Sequence, residues 1–297
     1  MRLILSRKGF DSSAGGCPSP IFPDGSLYPL PIPDTKSDIT YGEIQRQGVD
    51  IGALVEHLTR GRYSKLDTAH LDPDMFPEAL PRSDGWRPLL GQTGAAQGHL
   101  RRQKITVGDL FLFFGLFRPV EQVQGRWQFV RKTPAQHVLW GWMAIGDIRP
   151  VDELDSGQLP WARYHPHFRT GPDRANTLYL AADTLTAPRQ KRSVPGAGLF
   201  PRIAAPLILT APDSTSPSLW QLPDFFYPGS ERTPLSYHNK AERWRREEND
   251  RQRGFCQLQS AARGQEFVLD MNEYPESHKW INDLIREFGQ ATVAPES

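Results

Sequence analysis

The sequence predicts an α+β fold, a mixed and loop-rich sheet with a few peripheral helices. Three observations carry this. Short apolar runs cluster between residues 105 and 153, two segments show helical spacing with intact caps, and 27 prolines and 25 glycines are spread along 297 residues. That Pro and Gly content exceeds the usual roughly 12% without reaching the level of disorder. Ordered loops joining short elements are therefore expected.

Residues 2–6 (Arg-Leu-Ile-Leu-Ser) read as an opening strand. It gives way over 7–20, where Gly15-Gly16 and Pro18-Ser19-Pro20 exclude regular structure. Phe22-Pro23-Asp24-Gly25-Ser26-Leu27 has hairpin-turn chemistry, and the alternating Pro29, Pro31 and Pro33 suit an extended edge segment. A helix is predicted from Asp50 as N-cap, through Ile51, Leu54, Val55 and Leu58, to Gly61. Thr93 to Arg102 gives a weaker one. Leu110–Phe114, Trp127–Val130 and His137–Ile145 follow at short spacing, as in a meander or part of a small barrel. Strand alternation puts Trp140 and Trp142 on one face, and Phe111 and Phe113 likewise.

Further strands are expected at Asn176–Ala181 and Gly264–Asp270, and a charged helix at 238–253 with Ala241 and Trp244 facing inward. The last helix starts near Pro275, lines one face with Trp280, Ile281, Leu284, Ile285 and Phe288, and stops at Gly289. Residues 1–290 read as one domain and 291–297 as a frayed tail.

Composition narrows the function. A formal net charge of +1 excludes a strongly basic nucleic-acid coat protein. The basic set nevertheless holds 27 arginines against eight lysines. Arginine pairs bidentately with phosphates and base edges, although a GC-rich coding bias gives the same count. Arg189, Lys191, Arg192 and Arg202 form a local basic patch. No run approaches the roughly 18 apolar residues of a membrane span, and Met1–Lys8 lacks a signal-peptide core. Two cysteines, Cys17 and Cys256, permit neither a disulfide framework nor a four-thiolate zinc site. A cytoplasmic protein without a membrane association is expected.

Several segments could carry chemistry. The 7–19 loop brings Arg7, Lys8, Asp11, Ser12, Ser13 and Ser19 together with three glycines directly after a strand. Such a backbone can aim successive N–H groups at an anion, with the cations neutralising it. The Gly-Lys-Ser/Thr ending of a P-loop is absent. Cys17 lacks an identifiable histidine base and reads as non-catalytic. Asp67-Thr68-Ala69-His70-Leu71-Asp72-Pro73-Asp74 gathers one imidazole and three carboxylates. His70 and Asp72 share a face if extended, suiting an acid–base pair or a metal, while Asp-Pro is also an ordinary turn starter. His165-Pro166-His167 reads by default as a hydrogen-bonded surface pair, since no third ligand can be identified. No metal site is assigned, and the cofactor is left unspecified. Arg263-Gly264-Gln265-Glu266-Phe267 combines a cation, an amide and a carboxylate able to read a base edge, with Glu266 as an alternative general base.

Two resemblances go further. Gly108-Asp109-Leu110-Phe111-Leu112-Phe113-Phe114, followed by Gly141-Trp142-Met143-Ala144-Ile145-Gly146-Asp147-Ile148, resembles the paired strands of PUA-like barrels of the EVE, YTH and ASCH groups. That implies a small barrel element at about 105–153 with a pocket for a base. Ser6-Arg7-Lys8-Gly9-Phe10-Asp11-Ser12, Gly15-Gly16, Pro18-Ser19-Pro20-Ile21, Asp24-Gly25 and Leu30-Pro31-Ile32-Pro33 resemble the third nucleotide-modification-associated domain family. His70-Leu71-Asp72-Pro73-Asp74, the Gly108-Asp109 strand and Gly264-Gln265-Glu266-Phe267 agree with it. The family is grouped with bacterial and phage systems that handle modified bases, so the resemblance implies a nucleotide or nucleic-acid context and names no reaction.

Together these give a working expectation of an enzyme that binds a nucleotide, or a single-stranded or flipped base, in a polar cleft. Asp11, Asp72 and Glu266 are the catalytic candidates. Arg7, Lys8, Ser12, Ser13, His70, Gln265 and Arg263 are the phosphate- and nucleotide-binding ones. The alternatives are a non-catalytic reader of modified bases and a scaffold subunit beside partner modification enzymes.

Overall fold

The computed structural model describes residues 1–185 and 193–292. Its main strands are β1 (Arg2–Arg7), β2 (Ser19–Ile21), β3 (Ile32–Pro33), β4 (Ala69–His70), β5 (Leu89–Gln92) and β6 (Leu110–Val123). After them come β7 (Arg126–Phe129), β8 (Gln136–Pro150), β9 (Thr177–Ala181), β10 (Ala197–Leu199), β11 (Glu266–Asp270) and β12 (Gln290–Ala291). The chief helices are α1 (Ile51–Leu58), α2 (Gly94–Arg102) and α3 (Glu276–Phe288). The fold is α+β, with one large mixed sheet and few helices.

The sheet runs β11-β1-β6-β8-β9-β5. β1 lies parallel to β6 and antiparallel to β11, and β6 pairs antiparallel with β8. Leu3, Ile4 and Leu5, and the run Leu110–Phe113, are fully buried. A central strand covered on both faces reads as a continuous apolar run rather than an alternating one. Phe111 and Phe113 do share a face, their rings stacked at 6.0 Å. α1 begins where expected: Asp50 Oδ1 accepts from the Ala53 N–H at 2.9 Å and satisfies one of the free donors of the first turn. α3 buries Ile281, Leu284 and Ile285.

Some expectations are corrected. The strands of 105–153 are long members of an open sheet, and no closed barrel is present among the described residues. β6 and β8 have 14 and 15 residues and lie in the sheet's interior between β1 and β9, so the PUA-like element is not borne out. Trp140 and Trp142 pack in different places because a bulge falls between Leu139 and Gly141. Trp140 stacks on Phe113 at 5.1 Å, while Trp142 meets Phe200.

Residues 238–253 hold a 3-10 turn at Ala241–Arg243, a two-residue strand at Trp244–Arg245 and a short helix at Glu248–Gln252 rather than one continuous helix. Ala241 is exposed, and Trp244 is buried by pairing with Leu258 and donating its indole N–H to the His238 carbonyl. β12 pairs with β10, so Ala291 is held by the sheet, whereas 293–297 lie outside the described residues. Of the basic patch, Arg189, Lys191 and Arg192 lie outside them too, and Arg202 pairs with Asp24. No described helix is long and apolar enough to cross a membrane.

Candidate functional site

The end of β1, the start of β11 and the end of β5 meet at one cavity of about 660 Å³. The register sets this up, because Ser6 on β1 faces Glu266 on β11. Glu266 is 1% exposed, and its Oε1 accepts from Ser6 Oγ at 3.0 Å, from Lys8 Nζ at 3.2 Å and from Gln92 Nε2. Its other oxygen, Oε2, is buried without a partner. A carboxylate offers about four acceptor positions, so one half of this group is saturated and the other unspent.

A second buried carboxylate lies across the cavity. β4 pairs with the Pro-rich edge strand β3 and delivers His70 and, just beyond, Asp72. Asp72 Oδ1 accepts from the Gly91 N–H at 2.6 Å. His165 Nε2 lies 3.2 Å from the same oxygen but makes no well-formed hydrogen bond. Burial opposes ionisation of Asp72, but contact with His165 and the nearby Lys8 ammonium outweigh it and hold the carboxyl below its ordinary range. His70 Nε2 and His167 Nε2 stand 3.8 and 4.0 Å from Oδ2. One donor atom from each of His70, Asp72 and His167 thus lies within 4.8 Å of the others, and this trio is the group able to hold a metal ion.

The imidazoles are oriented from behind. His70 Nδ1 donates to Asp34 Oδ2 at 2.7 Å, and His167 Nδ1 donates to Asn176 Oδ1 at 2.6 Å. The Asn176 amide is itself fixed, since its Nδ2 donates to the His167 carbonyl and to Thr170 Oγ1. Gly91 is required by close approach: a Cβ there would stand 2.1 Å from the His167 ring. Burial lowers the pKa of His167 to about 4, so that ring is neutral at physiological pH.

The structure brings together nearly all the residues singled out in the sequence. Arg7, Lys8, Asp11, Ser13, His70, Asp72, Arg263, Gln265 and Glu266 line this cavity, and Ser12 does not. Their surroundings differ. Asp11 Oδ1 accepts from Ser13 N, Ser13 Oγ and Ala14 N, which shapes the loop and uses the Ser13 hydroxyl. Arg7 donates to the Ala262 and Gly264 carbonyls, fastening the 262–264 segment. Arg263 and Gln265 are exposed at the rim. Burial pushes the Cys17 thiol up to about 11, which keeps it protonated near neutral pH.

His165 and His167 are buried rather than a surface pair, at 0% and 4% exposure. Sequence reasoning missed Gln92, Asp34 and Asn176 altogether. The 167 histidine was visible, but its third partner sat some 95 positions upstream. The first turn of α2, with Ala95 and Ala96, and the ring of Tyr237 complete the lining.

A family model described as nucleotide modification associated domain 3 matches residues 2–270. No curated protein and no solved structure matches the chain.

Proposed function

Because the chain belongs to the nucleotide modification associated domain 3 family, we propose that its polar cavity binds a nucleotide, or a base from nucleic acid, and takes part in modifying it. The observation that carries this is Glu266, a carboxylate lining the cavity with Oε2 unpartnered. Leaving a buried acceptor unmade costs about 1–3 kcal/mol, and an amino or imino N–H of a base supplies the missing donor. Lys8 pairs with Glu266, and Asp72 stands opposite as a second carboxylate.

The cavity volume falls within the range of small-molecule sites, roughly 300–1,000 Å³. Arg7, Lys8 and Arg263 offer positive charge for a phosphate, and the first turn of α2 offers free N–H groups beside them. Tyr237, 43% exposed, is placed to stack on a base. Extruding a base from a duplex costs a few kcal/mol, so a free nucleotide or a single strand is the favoured ligand. Partner modification enzymes would then act on the same substrate. The reader alternative has less support here, because Tyr237 is the sole Phe, Tyr or Trp in the lining, whereas readers rely on aromatic cages.

Calorimetric titration with nucleoside monophosphates and a single-stranded oligonucleotide tests this, with chromatography of the nucleosides after incubation. The wild type is expected to bind and to alter the base. Glu266→Gln should weaken binding by about ten- to hundred-fold, the worth of a hydrogen bond to a charged acceptor, and end turnover. Binding with an unchanged nucleoside would select the reader. Failure of every ligand to bind would overturn the reading.

A further inference from the structure

We propose that His70, Asp72 and His167 bind one divalent first-row transition-metal ion whose open positions face the cavity. The hydrogen bonds dictate this. A carboxylate only accepts, so the His70 Nδ1 that meets Asp34 carries the proton. Asn176 presents its oxygen to His167 Nδ1, so that nitrogen carries one as well. In a neutral imidazole the remaining nitrogen then holds a lone pair. Both Nε2 atoms therefore aim lone pairs at Asp72 Oδ2, itself an anionic acceptor, at 3.8 and 4.0 Å.

Three lone-pair donors converging in a buried place repel one another unless a cation lies between them. Donation of the outer N–H to a carboxylate or amide oxygen is the arrangement that orients metal-ligating histidines. His165, wholly buried, stands on the opposite edge of Asp72: its Nδ1 accepts from the His167 N–H, so its Nε2 carries the proton and lies 3.2 Å from Oδ1 as a support for the carboxylate rather than a ligand.

The donor set selects the ion. Two imidazoles and one carboxylate, with no thiolate, suit Zn²⁺ or Fe²⁺ rather than Mg²⁺ or Ca²⁺. Three protein ligands with positions left over characterise a catalytic metal rather than a structural one. Ligand atoms around an ion at about 2.1 Å stand about 3.0–3.4 Å apart, so binding draws each imidazole towards Asp72 by about 0.4–1.0 Å. Lys8 and Glu266 line the same cavity, where the proposed nucleotide sits. Metal binding itself does not depend on that reading, so the two can fail separately.

The test uses full-length protein stripped with a chelator, titrated with Co²⁺ by visible absorption and with Zn²⁺ by calorimetry, no nucleotide being present. One equivalent per chain is expected, with a ligand-field spectrum of mixed nitrogen and oxygen donors. His70→Ala and Asp72→Asn should lose at least about a hundred-fold in affinity. Asp34→Ala, which only frees the His70 ring, should lose about ten- to hundred-fold. Glu266→Gln should keep the metal. His70 is the most exposed of the three, so its variant serves if substitution of His167 prevents folding. No stoichiometric binding by the wild type, or binding retained in both His70→Ala and Asp72→Asn, overturns the proposal.

Discussion

Asp72 and Asp74 stand one proline apart, both buried, and face opposite fates. Asp74 is saturated: Arg82 grips it bidentately at 2.6 and 2.7 Å, and Tyr164 and Trp86 donate to it as well. Arg82 in turn donates to the Pro77 and Phe76 carbonyls and lies over the Trp86 ring. Asp72 has a backbone N–H on one oxygen and two imidazole lone pairs near the other. The residue type is the same, and both carboxylates are largely sheltered from solvent. What separates a fastening from a reactive group is whether its acceptor capacity has been spent within the chain.

The largest expected effect attacks that contrast directly. Arg82→Met leaves Asp74 buried without its cation, with only Tyr164 and Trp86 still donating to it, and should cost about 3–5 kcal/mol in denaturant unfolding. Asp72→Asn retains an oxygen for the Gly91 N–H and should cost less than about 1 kcal/mol. If Asp72→Asn proves the more damaging to stability, the contrast is wrong.

The next test separates structural histidines from those of the site. His137 Nδ1 accepts from the Trp220 indole N–H at 2.9 Å, and His238 Nε2 accepts from the Ala261 N–H at 2.9 Å. Burial, joined at His137 by the nearby Arg7, lowers both pKa values from 6.5 to about 4. The unfolded chain therefore binds more protons between these values. Stability should be full above pH 6.5 and fall as pH drops towards 4, by as much as about 3 kcal/mol for each group. Chemical unfolding of wild type and of His137→Asn across that window checks it, the variant showing a shallower decline.

A smaller effect sharpens the comparison at the site itself. In Gly91→Ala the new methyl group meets the His167 ring, and overpacking should cost about 1–3 kcal/mol. Because the ring must move, Co²⁺ binding should weaken more than in Asp34→Ala. Unchanged metal affinity would show that His167 is not a ligand.

Much of the fold was legible where local signals suffice. The strand from Arg2 and the helices after Asp50 and Pro275 stand where their periodicity put them, although α1 closes at Thr59 rather than running on to Gly61. The failures are tertiary. The bulge beside Trp140 is invisible in an alternating pattern, and the helical spacing at 238–253 yields to Trp244 pairing with Leu258. In the site, residues carrying unusual chemistry were recognisable singly, as with Lys8, Asp72 and Glu266. Their partners were not, because Gln92 and Asp34 look like ordinary polar loop residues until the sheet brings them within reach. The role of Asp11 illustrates the converse, since a carboxylate beside serines in a glycine-rich loop is as readily spent on its own turn.

One feature of the sheet governs when all this comes into being. Ser6 and Glu266 are adjacent in space yet 260 positions apart in the chain. On the ribosome, Lys8 emerges early and waits for its counter-ion until 258 further residues have followed it. A product truncated ahead of β11 would lack the glutamate and leave Lys8 without this counter-ion.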